Sequence, residues 1–220
     1  MPKRTFFRLD EDKRERVIRA AIDEFRKNGF ENAKVGVIAQ VANVANGSIY
    51  QYFDDKRELF LYCVNWTVEN YIREIDRRIP LAAMDLFEYF QTGIMDRAGF
   101  ARQEPELAMF AHDLTNGLID FPPGEANPVR GLYGAHIPKL ISNGHKWGAL
   151  REDVGDEMLK TFFTGVAREA EEILYMSAAS AGFALTDDQA RDNKAFLDGM
   201  LDLLKNGLEM SQNTPTSTAS

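Results

Sequence analysis

The sequence predicts an all-α protein, and three observations carry that prediction. Apolar residues recur at helical spacing along most of the chain, with no strand-like alternation of any extent. Capping residues, glycines and prolines fall where those runs start and stop. Two short apolar runs lie between Val35 and Phe53 and two long ones close the chain, which predicts a small N-terminal helical unit followed by a larger helical domain.

Residues 1–9 carry Lys3, Arg4 and Arg8 without periodicity. They are expected to form a flexible basic arm, either solvated or reaching DNA phosphates or the minor groove. Asp10 or Asp12 is a suitable N-cap for a helix running to Asn28, with Val17, Ile18, Ala21, Ile22 and Phe25 on one stripe. Gly29 stands where a left-handed C-cap is wanted, and Phe30 can fold back on the last turn.

Val35, Ile38, Ala39 and Ala42 form the first short run; a break follows at Asn43-Val44; Ile49 and Phe53 begin the second beyond Asn46-Gly47. Two short helices crossing at a tight turn have the geometry of a helix-turn-helix, whose second helix enters the DNA major groove. Ile49 and Phe53 are expected inside, with Ser48, Gln51 and Tyr52 facing out. Residues 10–55 thus make a three-helix candidate DNA-binding domain.

Asp55 and Glu58 are placed to cap a long helix containing Leu59, Phe60, Cys63, Val64, Val68, Tyr71, Ile72 and Ile75, closed by Pro80. Further helices are expected from about Met84 to Gln103, from Pro105, and from Pro128 to His145 with a kink near Pro138. Asp120–Asn127 reads as a loop and Trp147–Asp153 as a turn. The last two helices, from Asp156 to about Ala181 and from Thr186 to about Met210, have broad apolar stripes that must bury against the domain, a second subunit, or both. Thr186 and Gln189 make a capping box. Residues 56–211 form the larger domain, and residues 212–220, polar and without packing residues, are expected to be disordered.

Composition excludes several classes. Hydrophobic residues are 45% and charged residues 27% of 220, as in soluble globular proteins. The charged first residues do not resemble a secretory signal, and no apolar run approaches the roughly 20 residues that span a bilayer. The single Cys63 forms no internal disulfide and fits a reducing cytoplasm. His112, His136 and His145 lack metal-ligand spacing, and no phosphate loop or nucleophile elbow occurs. No catalytic group, metal or cofactor is nominated. The net charge of −8 is uneven: residues 1–60 hold 12 basic against 10 acidic side chains, and residues 61–220 hold 14 against 24. A DNA partner is compatible with that, because affinity depends on the local phosphate-facing patch.

Trp66, Phe87, Phe90, Met109, Phe110, Tyr133, Phe162 and Phe163, with Met84 and Met95, are either ordinary core or the lining of an apolar ligand cavity.

Ala42-Asn-Val-Ala-Asn-Gly-Ser-Ile-Tyr-Gln-Tyr-Phe53, followed by Asp55-Lys-Arg-Glu-Leu59, resembles the DNA-binding signature of the TetR family of bacterial transcriptional regulators. Ala20-Ala21 to Phe25, Gly29-Phe30 and Ile38-Ala39 match as well, and Gly144-His-Lys-Trp-Gly-Ala-Leu-Arg-Glu-Asp153 looks like a segment many members carry before their last two helices. The resemblance implies a homodimer formed through the last two helices, here Phe163, Val166, Ala170, Ile173, Leu197, Met200, Leu201 and Leu204. It also implies an operator gripped by both N-terminal domains and a small-molecule effector that releases it. Asn46, Ser48, Gln51 and Tyr52 match groove-facing positions, and Tyr50 and Lys56 match phosphate-contacting ones. Ala45 stands where the family has a capping Ser, so Asn46 is drawn between capping and base reading; Asn43 replaces Gly; Ala33-Lys34 replace a hydroxyl residue, with Lys34 supplying charge instead. The function implied is a ligand-responsive repressor. The alternative is an all-helical enzyme or ligand-storage protein with a structural N-terminal unit.

Overall fold

The computed structural model describes residues 1–78, 81–127, 129–182 and 185–208, which form helices and connecting turns and no strand. The helices are α1 (Arg4–Phe7), α2 (Glu11–Asn32), α3 (Val35–Val41), α4 (Asn46–Tyr52), α5 (Lys56–Arg78), α6 (Leu86–Gln103), α7 (Pro105–Thr115), α8 (Val129–Lys146), α9 (Asp156–Ser180) and α10 (Asp187–Leu208). A 3-10 turn at Leu81–Ala83 precedes α6. Residues 212–220 lie outside the described residues.

Local signals explain the helix ends. The Asp10 carboxylate accepts the Lys13 N–H at 2.8 Å and starts α2, with Glu11 and Asp12 in its positive first turn. Gly29 takes a φ of +69°, open to glycine, and kinks α2 before a last turn to Asn32. At α5 the Asp55 carboxylate accepts the Glu58 N–H at 2.8 Å while Glu58 accepts the Asp54 N–H at 2.6 Å. Thr186 and Gln189 exchange the same kind of pair before α10. Pro105 opens α7, whereas Pro138 lies inside α8.

The chain divides into two compact units. The first comprises Met1–Ile75 and Gly99–Leu132, the second Asp76–Ala98 and Tyr133–Ser220. The N-terminal unit is therefore larger than a three-helix domain ending at residue 55. Its core runs from Phe25 to Phe60, with rings 5.0 Å apart, and on to Phe110 and Phe121 at 6.4 and 5.4 Å. Leu107, Phe110 and Leu114 of α7 are fully buried in it, because α2 to α4 alone supply too little apolar area.

Residues 1–9 correct the expectation of a flexible arm. Phe6 is fully buried, 4.9 Å from the Phe53 ring and 5.4 Å from Tyr62, so an apolar side chain fastens the segment as α1.

In the second unit, Phe87 and Phe90 of α6 meet Phe163 of α9 with ring centroids 5.9 and 6.5 Å apart. Asn143, almost wholly buried, donates to the Met84 carbonyl at 2.7 Å. Gly144 is needed where it stands: a Cβ there would lie 2.6 Å from Cδ1 of Leu150, which folds back once the chain, past the end of α8, has turned at Gly148, φ +69°.

The expected dimer residues need revision here. Phe163, Ala170, Leu197, Leu201 and Leu204 are buried within the single chain. They fill the unit's own interior, since α9 and α10 are apolar on two sides and one side is used internally. Val166 and Met200 are half-buried, and Ile173 is exposed.

Candidate nucleic-acid interface

The site is α3, the turn after it, and α4. Lys34 precedes α3 and brings no capping side chain of its own. Glu24 of α2 supplies the acceptor instead, its nearly buried carboxylate taking the Lys34 N–H at 2.9 Å. At the other end Asn43 takes a φ of +54°, which Asn tolerates better than most residues. The Val44 N–H reaches the Ala39 carbonyl at 2.9 Å and the Asn43 N–H reaches Gln40 at 3.1 Å, the paired bonds of a Schellman ending. This ending lets α4 leave α3 sharply while Ile38, Ala39, Ala42 and Ile49 stay buried.

α4 has seven residues, too few for a stable helix in isolation. Its N-cap, Ala45, makes no side-chain bond. Asn46 is the first helical residue, exposed, with its amide beside Gly36, where a Cβ would lie 3.6 Å from Oδ1. Asn46 therefore does not serve as the N-cap of α4.

The C-terminal carbonyls of α4 are held by α1. The Lys3 N–H donates to Tyr52 at 2.8 Å, the Lys3 ammonium donates to Tyr50 at 2.9 Å and Phe53 at 3.4 Å, and the Thr5 hydroxyl donates to Gln51. Sequence reasoning missed Lys3, Thr5 and Glu24 as parts of the site. The adjacent Phe6 was the one signal that segment 1–9 docks.

Of the expected DNA contacts, Lys34, Asn46, Tyr50 and Gln51 are exposed and Ser48 is half-buried. Two are withdrawn. Tyr52 is only 6% exposed, its ring 5.9 Å from Phe6, because α1 covers it. Lys56 turns inward, donating to the carbonyls of Glu31 at 2.8 Å and Ala33 at 3.2 Å, with its ammonium 4.9 Å from the Phe30 ring centre. Its charge complements the negative end of α2. From Val35 to Asp55 the sequence has no Lys or Arg, so the exposed face of α3 and α4 is neutral and offers hydrogen-bonding and apolar groups in place of cations.

A profile of bacterial regulatory proteins, tetR family, matches residues 17–63. The HTH-type transcriptional regulator HbdR of Aromatoleum sp. (strain CIB) is 35% identical over 72 residues, 33% of this chain and 31% of that one. Over nearly the whole chain, a TetR family transcriptional regulator from Chloroflexus aurantiacus J-10-FL superposes with a TM-score of 0.74 at 25% identity, covering 96% of this chain and 100% of that one. Residues 17–63 thus match the tetR-family model, and the whole chain shares the fold of a TetR family regulator. The transcriptional regulator FadR from Bacillus subtilis, solved with stearoyl-CoA, shares the fold at a TM-score of 0.60 and 18% identity, covering 88% of this chain and 98% of that one. The α3–turn–α4 segment lies inside the match to the tetR-family model, in the place of a helix-turn-helix whose second helix is the candidate recognition helix.

The candidate pocket residues separate. In the first unit Phe110 is core and Met109 accepts a weak contact from Arg26 at 3.4 Å. Trp66 lines two clefts there. One of about 290 Å³ includes Phe7, Arg14 and Tyr62, and one of about 180 Å³ includes Arg19, Phe100 and Glu104. In the second unit Phe87, Phe90 and Phe163 are packed on one another, and Phe162 is exposed. The side chains of Met95 and Tyr133 lie outside the described residues. No helix among the described residues is long and apolar enough to cross a membrane, and none of their His, Cys, Asp and Glu side chains group to hold a metal.

Proposed function

We propose that this chain is a ligand-responsive TetR-family repressor that binds a palindromic operator as a homodimer and is released by a small apolar effector. The observation that carries the reading is the exposed Lys34 ahead of α3, together with exposed Asn46, Tyr50 and Gln51 on a short helix held at its far end by α1. The dimer is supported by a second apolar face on the last two helices. Met158, Phe162, Ile173 and Met176 of α9 are exposed, as are Phe196 and Leu203 of α10. At 3.6 residues per turn each set clusters on one side of its helix, about 120° round from the buried residues. Two such faces brought together remove large apolar side chains from water.

An acyl-chain effector is supported by the likeness to FadR, solved with stearoyl-CoA, and by the aromatic content of the second unit. Release follows if the effector favours a spacing of the two recognition helices that does not match the half-sites. The test is to enrich a duplex from a random-sequence pool and titrate the complex with stearoyl-CoA. Release by micromolar acyl-CoA, with stearate alone and CoA alone as controls, is expected. Binding unaffected by every acyl chain length tried refutes the effector class. Sedimentation of wild type and Leu203→Glu tests the dimer: a wild-type monomer at the concentrations that bind DNA refutes it.

A further inference from the structure

A DNA reader draws much of its affinity from cations that displace counterions at phosphates. Here the reading face supplies none between Val35 and Asp55, and apart from the exposed Lys34 ahead of α3 the cations that flank it are largely committed. Lys56 caps α2, Lys27 pairs with Asp23 at 2.7 Å, and Arg57 pairs with Glu125. Lys3 bonds the end of α4 and pairs with Asp54 at 2.9 Å, which holds that carboxyl below its usual range.

Arg4 and Arg8 are different. Both are exposed, and neither has an ion pair or hydrogen bond among the described residues. Four apart, with Arg8 still in helical conformation, they lie on one side of α1. Between them, Phe6 is buried and the exposed Thr5 is bonded to α4. Because Thr5 is bonded to the Gln51 carbonyl, Arg4 sits one residue from a direct attachment to the recognition helix. Asp10, the nearest acidic residue in sequence, is occupied with the Lys13 N–H.

We propose that α1 is a docked phosphate-contacting element of the reading head, with Arg4 and Arg8 contacting the DNA backbone beside α4. This rests on the DNA-binding reading above and extends its contact surface. A docked pair has an advantage over a flexible arm, since little ordering entropy is lost when DNA arrives. The pair adds affinity and register without base preference, because phosphate contacts position and base contacts specify.

The experiment measures affinity for the duplex enriched by the wild type over a series of KCl concentrations. The proteins are wild type, Arg4→Gln/Arg8→Gln, and Arg191→Gln on α10 as a charge control. Each phosphate contact contributes about 0.9 to the slope of log affinity against log salt. The double variant is expected to lose about 1.8 per reading head with the same preferred sequence and the same Tm, while the control keeps the wild-type slope. A double variant whose slope equals that of the wild type overturns the proposal and leaves DNA binding by α4 standing. A wild type that enriches no duplex overturns both.

Discussion

Lys56→Met separates two roles for one ammonium group. As a phosphate ligand, Lys56 would contribute to the salt dependence of DNA binding and little to stability. In the structure it instead closes the C-terminal end of α2 with bonds of 2.8 and 3.2 Å to Glu31 and Ala33, over the Phe30 ring at 4.9 Å. Each bond, half-exposed, contributes about 0.5–1 kcal/mol, and the cation over the ring adds about 0.5. Methionine keeps most of the aliphatic stem, so the loss is about 2 kcal/mol. For a chain of this length that lowers Tm by about 4–8 °C. The assay is thermal unfolding by circular dichroism alongside a salt series of duplex affinity. The expected outcome is a lower Tm with an unchanged salt slope. A slope reduced by about 0.9 per reading head with Tm unmoved would refute the inward role.

Three further outcomes follow from the same geometry. Tyr52→Phe is expected to change duplex affinity by no more than about twofold, because the ring packs under α1, whereas Tyr52→Ala costs about 3–4 kcal/mol of stability in denaturant unfolding. Gly144→Ala should destabilise by about 1–3 kcal/mol through the 2.6 Å approach to Leu150. Adding Leu150→Ala removes the clash, so the double variant loses less than the sum of the singles; simple additivity counts against the contact. Cys63, fully buried with its thiol pKa raised by desolvation, should resist iodoacetamide at pH 8 in the native protein and react on unfolding, as mass spectrometry would show.

Much of the fold was legible because local chemistry decides it. Asp10, Asp55 with Glu58, and Thr186 with Gln189 each place a helix end by satisfying specific backbone groups, and such patterns survive without tertiary information. Asn43 likewise turns where the sequence implies a left-handed residue. What was not legible depends on neighbours distant in sequence. Phe6 and Tyr52 pack on each other, so reading residues 1–9 as a flexible basic arm also left Tyr52 facing out. Lys56 is drawn inward by carbonyls 23 and 25 residues earlier. The inner and outer faces of α9 and α10 are both apolar, and only packing distinguishes Phe163 from Phe162. The extent of the first unit rests on α7 joining the Phe25–Phe60 core, a long-range event that periodicity does not encode.

The central claim is that α4 reads DNA through a neutral face bearing Asn46 and Gln51. Selection from a random duplex pool, run in parallel on the wild type, Asn46→Ala and Gln51→Ala, tests it most directly. The expected result is a wild-type inverted repeat with half-site centres one helical turn or a multiple of it apart, about 34–36 Å per turn. Each variant should relax preference at a different base position within the half-site. Three identical enriched sequences, or none enriched by the wild type, would contradict the claim.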